Sequence, residues 1–354
     1  MQRLVLVTGL LSLALLVTSL NACMPFGNSN RQMRVLCAGS LIVPFKEIEI
    51  AFEGKYPDVD VLIEGHGSIQ VIRHVTELYE ESDVVVVADH DLIPLLMYTT
   101  KIEGSDQSYA DWYLKFATNS VGIAYTAQSK YADEISTENW YEIISRPDVR
   151  LGISDPRLDP CGYRALMICQ LAEDFYGNDR VLEDVMGNFY LPITVTETDN
   201  VHRIIIPEIL KPDNERLVLR GSSVWLISLL ESGDIDYAFE YESVAKQHQV
   251  KFLHLPEEIN LSAEEYADFY GSVICQLAFQ RFASVNPEFR GQPIIYGVTI
   301  PSNAPNPDLG VEFIRFLLGP EGQAIMTSND HPTISPAIAD DPESLPSGIE
   351  QLLR

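Results

Sequence analysis

Apolar positions along the chain fall into short blocks, and the first blocks repeat one order. Residues 34–40 form a brief apolar run ending in Gly39-Ser40, after which Phe45, Ile48 and Phe52 recur at helical spacing, with Pro44 acceptable in a first turn. Residues 59–64 read as a second strand, which also ends in glycines and a serine, Gly65-His66-Gly67-Ser68, before a helix over 69–79. A third run, Val84-Val85-Val86-Val87, is wholly apolar, as buried parallel strands are. This βαβαβ opening predicts a doubly wound parallel sheet whose ligand sits beyond the carboxyl ends of its strands, where Ser40 and Ser68 fall. Each serine also suits a helix N-cap, and a capping hydroxyl can still donate outward. Gly65-His66-Gly67 is no dinucleotide fingerprint, because Gln70 stands where its third glycine belongs. His66 reads as a loop residue, and His74 as an exposed helix position.

Farther along, residues 151–166 repeat the order of strand, loop and helix around two Asp-Pro steps. Proline biases Asp155 and Asp159 away from the right-handed helical region, so both precede the free N–H groups of the next helix, an end that attracts anions. One Asp suffices as a cap; the second asks for another role. Arg220-Gly221-Ser222-Ser223-Val224 writes loop, serine, helix once more, and that helix ends at Glu231-Ser232-Gly233. Residues 116–125 read as a crossover strand, 234–241 as the way back, and 191–214 as an insertion at a lobe edge.

The first 22 residues are of another kind. Arg3 precedes a long Leu/Val/Ala run that ends Leu20-Asn21-Ala22-Cys23, a small residue ahead of cysteine. This predicts a lipoprotein signal peptide over 1–22, lipid on Cys23, a tether over 23–32 and a place at the outer face of the cell membrane. A retained membrane anchor is the alternative, and the placement of Cys23 argues against it. The remaining length of about 330 residues exceeds one core, so two lobes are expected. The first is assigned to 33–115 and 246–354, the second to 116–245.

Composition removes several functions. With 51 acidic against 24 basic side chains the net charge is −27, which excludes nucleic acid as partner and obliges any bound anion to rely on local N–H groups and dipoles. Cys37, Cys161, Cys169 and Cys275 form no CxxC pair and indicate no zinc site. A disulfide outside the cell is allowed, its pairing open. No GxSxG, HExxH or P-loop spacing supports an enzyme, and no DxDxDG run supports a calcium site.

Several pieces, taken in order, carry a resemblance. They are Ala38-Gly39-Ser40-Leu41 with Val43-Pro44-Phe45; Gly67-Ser68; Asp159-Pro160-Cys161-Gly162-Tyr163-Arg164; Tyr241 with Ser243-Val244-Ala245 and Gln247-His248; and Phe313 with Phe316-Leu317-Leu318-Gly319-Pro320. Together they resemble the archaeal molybdate/tungstate-binding lipoproteins of ABC importers. The resemblance implies a type II periplasmic-binding-protein fold, two doubly wound α/β lobes joined by two crossover strands that close on an oxyanion. It implies a monomer without a resident cofactor, serving an ABC permease and its ATPase. It places ligand contacts on Ser40, Ser68, Asp159 and Tyr241, with Asp159 binding the tungsten or molybdenum centre directly. The glutamate that assists that aspartate in the archaeal branch falls on Ser223 here. Asp159 is then the single carboxylate unless Glu240 or Glu242 enters, and strand alternation points both to the face opposite Tyr241. Phosphate or sulfate is the nearest rival ligand. Phosphate could give Asp159 a proton, whereas sulfate offers it neither proton nor coordination site.

Overall fold

The computed structural model of the protein describes residues 31–187, 189–278 and 287–353. The expected signal peptide, Cys23 and most of the expected tether lie outside the described residues. The last two tether positions, Arg31 and Gln32, already belong to the first strand.

In chain order the elements are β1 (Arg31–Ala38), α1 (Ile42–Lys55), β2 (Val59–His66), α2 (Ser68–Thr76), β3 (Val84–Val87), β4 (Leu114–Thr118), β5 (Val121–Tyr125), α3 (Trp140–Ile144), β6 (Leu151–Ser154), α4 (Pro160–Tyr176) and α5 (Val181–Met186). Then come β7 (Thr194–Thr198), β8 (Val201–Ile206), β9 (Leu217–Arg220), α6 (Trp225–Ser232), β10 (Tyr237–Tyr241), α7 (Glu242–Gln247), β11 (Lys251–Leu253), α8 (Ala267–Tyr270), β12 (Val273–Leu277), β13 (Glu288–Arg290), β14 (Ile295–Thr299), α9 (Pro307–Leu318), α10 (Pro320–Ser328) and β15 (Thr333–Ala339).

Two sheets share one winding. The first has the order β15-β4-β14-β3-β1-β2 and the second β11-β5-β10-β6-β9. In the first, β1 lies parallel between β2 and β3, and β14 closes against β3 antiparallel. In the second, β6 lies parallel between β9 and β10, and β5 closes against β10 antiparallel. Each is therefore an α/β body with a topological switch point, and the carboxyl ends of β1, β2, β3, β6, β9 and β10 mark two ligand-binding edges. Burial follows the sequence pattern, since Val84 to Val87 are wholly inaccessible and α1 turns Phe45, Ile48 and Phe52 into the core.

The chain passes from the first sheet to the second within two residues, Asn119 and Ser120, between β4 and β5. The return differs from the sequence expectation. β10 is a central strand of the second sheet, and β11, expected in the first lobe, also pairs there with β5. The insertion over 191–214 supplies the hairpin β7-β8, and β8 pairs parallel with β12 in a third sheet of order β13-β12-β8-β7. The chain rejoins the first sheet only at β14. An apolar strand pattern reports burial, not which neighbour supplies it. Cys37, Cys161, Cys169 and Cys275 are all buried and free. Among the described residues, no helix is long and apolar enough to cross a membrane.

Candidate functional site

All six carboxyl ends deliver side chains to one interface between the two bodies. Ser40 follows β1, Ser68 opens α2 after β2, and Ala88-Asp89 follow β3. From the other body come Asp159 after β6, Ser222-Ser223 after β9, and Tyr241 at the end of β10. Ser40, Ser68, Asp159, Ser223 and Tyr241, the five residues chosen from sequence, are all buried.

The bodies touch here. Ile69 and Gln70, at the start of α2, donate their backbone N–H groups to the Leu158 carbonyl at 3.1 and 3.2 Å. A Cβ on Gly67 would lie 2.5 Å from that carbonyl oxygen and 2.8 Å from the Gly221 oxygen, and one on Gly39 would lie 2.5 Å from Ser222 Oγ. At Gly67 the contacts are backbone oxygens that only glycine allows, and at Gly39 a Cβ would displace the Ser222 hydroxyl. The first N–H groups of α2 thus hold the opposite body, and not an anion as the helix-end argument alone suggests.

Asp159 is the N-cap of α4. Its Oδ1 accepts from Cys161 N–H at 3.0 Å and its Oδ2 from Ser223 N–H at 2.8 Å. Burial raises its pKa to about 6, against the pull of those two N–H groups, Ser222 and Arg164. The other Asp-Pro step does separate work: Asp155 clamps Arg157, with Arg157 Nε 2.8 Å from Oδ1, and shapes the loop.

Ser223 joins two carboxylates. While its N–H serves Asp159, its Oγ donates to Glu240 Oε1 at 2.8 Å, which also accepts the Tyr241 N–H at 2.8 Å. Glu240 has no accessible surface, and burial raises its pKa to about 8. The sequence reading turned Glu240 away from Tyr241, and its carboxylate nonetheless meets Ser223. Alternation does place it on the face opposite Tyr241, but at the end of a central strand the loops of both faces converge. Glu242 stays apart, bonded to Ser120 Oγ at 2.8 Å and paired with Lys246 at 2.8 Å.

On the other face, Arg164 projects from α4 and is 2% exposed. Its Nη1 donates to Tyr241 Oη and to Ala88 O, each at 2.7 Å, and its Nη2 lies 3.6 Å from Asp89 Oδ2. Ser68 Oγ accepts the Ala88 N–H at 2.9 Å, which leaves its hydroxyl hydrogen to donate elsewhere. Ser40 Oγ is 2.8 Å from Tyr296 Oη, which accepts from Asn119 Nδ2 at 2.9 Å. Asn119 Nδ2 also donates to Ser243 Oγ at 2.8 Å, and the Glu242 N–H reaches Ser120 O at 3.0 Å, so the crossover is stitched to the start of α7.

Three buried polar atoms beside Asp159 and Tyr241 have no hydrogen-bond partner: Ser222 Oγ, Arg164 Nη2 and Glu240 Oε2. Ser222 Oγ and Arg164 Nη2 can donate, and Glu240 Oε2 donates when that acid is protonated and accepts when it is ionised. The sequence reading passed over Ser222 and Arg164 as site members and weighed Glu240 only as an alternative carboxylate. Arg164 carried a signal, lying in the quoted Asp159–Arg164 motif one helical turn beyond the cap; Ser222 did too, next to Ser223. Cys161 sits beside this cluster, and burial raises its thiol pKa well above the ordinary value.

Comparisons with known proteins bear on the family and the fold. The sequence profile of a family described as bacterial extracellular solute-binding protein matches residues 33–329. An uncharacterised solute-binding protein of Methanoculleus marisnigri is 42% identical over 321 residues, 90% of this chain and 87% of its own. The molybdate/tungstate-binding protein WtpA of Thermococcus kodakarensis is 38% identical over 315 residues, 86% of this chain and 83% of its own. Among solved structures, the periplasmic molybdate-binding protein of Azotobacter vinelandii has a TM-score of 0.53 at 14% identity, over 84% of this chain and 98% of that one, a likeness of fold.

Proposed function

The chain belongs to the bacterial extracellular solute-binding proteins, and from that premise we propose that it captures tungstate or molybdate between its two bodies for an ABC permease. The family is one of transport receptors, not of enzymes, and it works outside the cytoplasmic membrane. The observation that carries the ligand reading is the set of atoms without a hydrogen bond around Asp159. Ser222 Oγ and Glu240 Oε2 have no hydrogen-bond partner, and Arg164 Nη2 has only its long ion pair with Asp89. A tetrahedral oxyanion with a metal centre satisfies all three. Its oxygens accept from Arg164, Ser222 and the hydroxyls of Ser40 and Ser68, while Tyr241 holds Arg164 in place.

The carboxylates set the selectivity. Beside a dianion, Asp159 and Glu240 are repulsive unless they bind its central atom or share a proton. Hexavalent tungsten and molybdenum accept added oxygen donors and the sulfur of sulfate does not, so the pair discriminates against sulfate. Glu240 thereby supplies the second carboxylate that Ser223 does not. The oxyanion is cargo, and the site needs no resident cofactor. Cys23 carries the lipid that anchors a monomeric receptor at the membrane, its signal peptide removed. The test is calorimetric titration of the purified protein with tungstate, molybdate, sulfate and phosphate in turn. Saturable heat with the first two and none with sulfate is the expected result. Preference for phosphate overturns the metal-centre reading while keeping the fold.

A further inference from the structure

A second cluster lies at the far end of α2, where sequence reading saw only a loop residue and an exposed helix position. We propose that Glu64, His66 and His74 form a site for a borderline divalent cation, with zinc as the best fit and Glu80 beside His74 at its edge. Glu64 and His66 lie two apart on β2 and share a face. His74 is in the last turn of α2 and stacks on His66, ring centroids 4.5 Å apart at 20°. Donor atoms of Glu64, His66 and His74 all fall within 4.8 Å of one another. Glu64 Oε1 is 2.8 Å from His66 Nε2, and Glu80 Oε1 is 3.1 Å from His74 Nδ1.

Arg34 arranges the carboxylates. Its Nη2 contacts Glu64 Oε2 at 2.6 Å and Glu80 Oε2 at 2.5 Å, which turns the remaining oxygen of each toward a histidine. One guanidinium faces two carboxylates, so the cluster retains a negative charge. Two protonated imidazoles stacked this closely would repel, whereas two neutral ones offer lone pairs to a shared cation. His66 Nδ1 is buried without a hydrogen bond, while His66 Nε2 faces Glu64 and His74 Nδ1 faces Glu80, so each ring meets a carboxylate that a cation would share. Two imidazoles and a carboxylate are a donor set that zinc takes with its fourth position left to water, and one that calcium or magnesium, preferring oxygen, does not favour. The His side chains are 17% and 13% exposed, which leaves a path from solvent. A bound cation would tie the end of β2 to the end of α2, bracing the helix that presents Ser68 to the cleft.

The experiment is calorimetric titration of the chelator-treated protein with zinc chloride, without oxyanion, together with thermal melts. One zinc per chain and a rise in Tm are expected, both lost in His66→Gln and in His74→Gln. Magnesium chloride in place of zinc should give neither. Absence of saturable zinc uptake by the parent protein overturns the proposal. So does unchanged uptake in the His66→Gln/His74→Gln double variant, with circular dichroism confirming that the variant is folded.

Discussion

Gly67→Ala separates closure of the cleft from folding of either body. Gly67 precedes α2 with φ −60° and ψ 140°, a backbone conformation that alanine adopts without strain. The added methyl is therefore free of backbone strain, and the nearest atoms it meets are not in the first body. In the closed protein it would stand 2.5 Å from Leu158 O, 2.8 Å from Gly221 O and 2.9 Å from Asp159 Cβ, all in the second body. Two of the three are backbone atoms and cannot rotate away. Overpacking of this kind costs about 1–3 kcal/mol. Because the cost falls on the closed form alone, it weakens ligand binding by roughly 5- to 140-fold at 1.4 kcal/mol per decade. Calorimetry with tungstate measures the loss, small-angle scattering follows compaction on binding, and urea unfolding without ligand reports stability. Gly54→Ala is the control, since a Cβ there meets nothing within 4 Å. Unchanged tungstate affinity in Gly67→Ala would refute the closure argument. A drop in urea stability as large as the loss in binding would show instead that Gly67 serves the fold.

Asp159→Asn keeps an acceptor for Cys161 N–H but loses the charge, and tungstate affinity should fall by about 2–5 kcal/mol, the usual range for truncating a buried charge pair, read by calorimetry. Glu240 has a pKa raised by burial to about 8, so the folded protein holds more protons than the unfolded one between pH 4.5 and 8. Stability without ligand should therefore decline as pH rises through that window, and Glu240→Gln should melt with the parent at pH 4 but above it at pH 8. His331 has the opposite sign. Burial lowers its pKa to about 4, the unfolded chain binds the extra proton between pH 4 and 6.5, and stability falls as pH drops through that range. His331→Gln should flatten that part of the urea-stability profile.

Much of the winding was legible because it repeats in the sequence. Strand, glycine, serine and helix occur in order at Ser40 and again at Ser68, and the loop after β6 announces Asp159 by its proline. These signals are local, and local signals locate the ends of strands. The partners of strands are not local. β11 is a short apolar run that would fit either body, and only the antiparallel pairing with β5 assigns it. Glu240 shows the same limit at the site. Its alternation with Tyr241 is visible in sequence, but the carboxylate becomes a site residue through Ser223, 17 positions earlier on another connection. Arg164 reaches across to Ala88 O of the first body, a contact that exists only when the bodies meet.

The site also resolves how so acidic a chain can take up a dianion. Charges on the outer surface are screened beyond about 8–10 Å at physiological ionic strength, so the net −27 acts mainly on approach and less on the bound ion. Inside, the balance is among Arg164, Asp89, Asp159 and Glu240. With a pKa pushed up to about 8, Glu240 is mostly protonated at pH 7 before the ligand arrives, and the site then carries less negative charge than its composition suggests. To bind the metal centre through an ionised oxygen, Glu240 must give that proton up. Tungstate binding at pH 7 should therefore release up to one proton. Calorimetric heats in buffers of different ionisation enthalpy should differ accordingly, and that dependence should vanish in Glu240→Gln. Heats that are the same in every buffer for the parent protein would mean that Glu240 keeps its proton and serves as a hydrogen-bond donor to an oxyanion oxygen. Discrimination against sulfate would then rest on Asp159 alone.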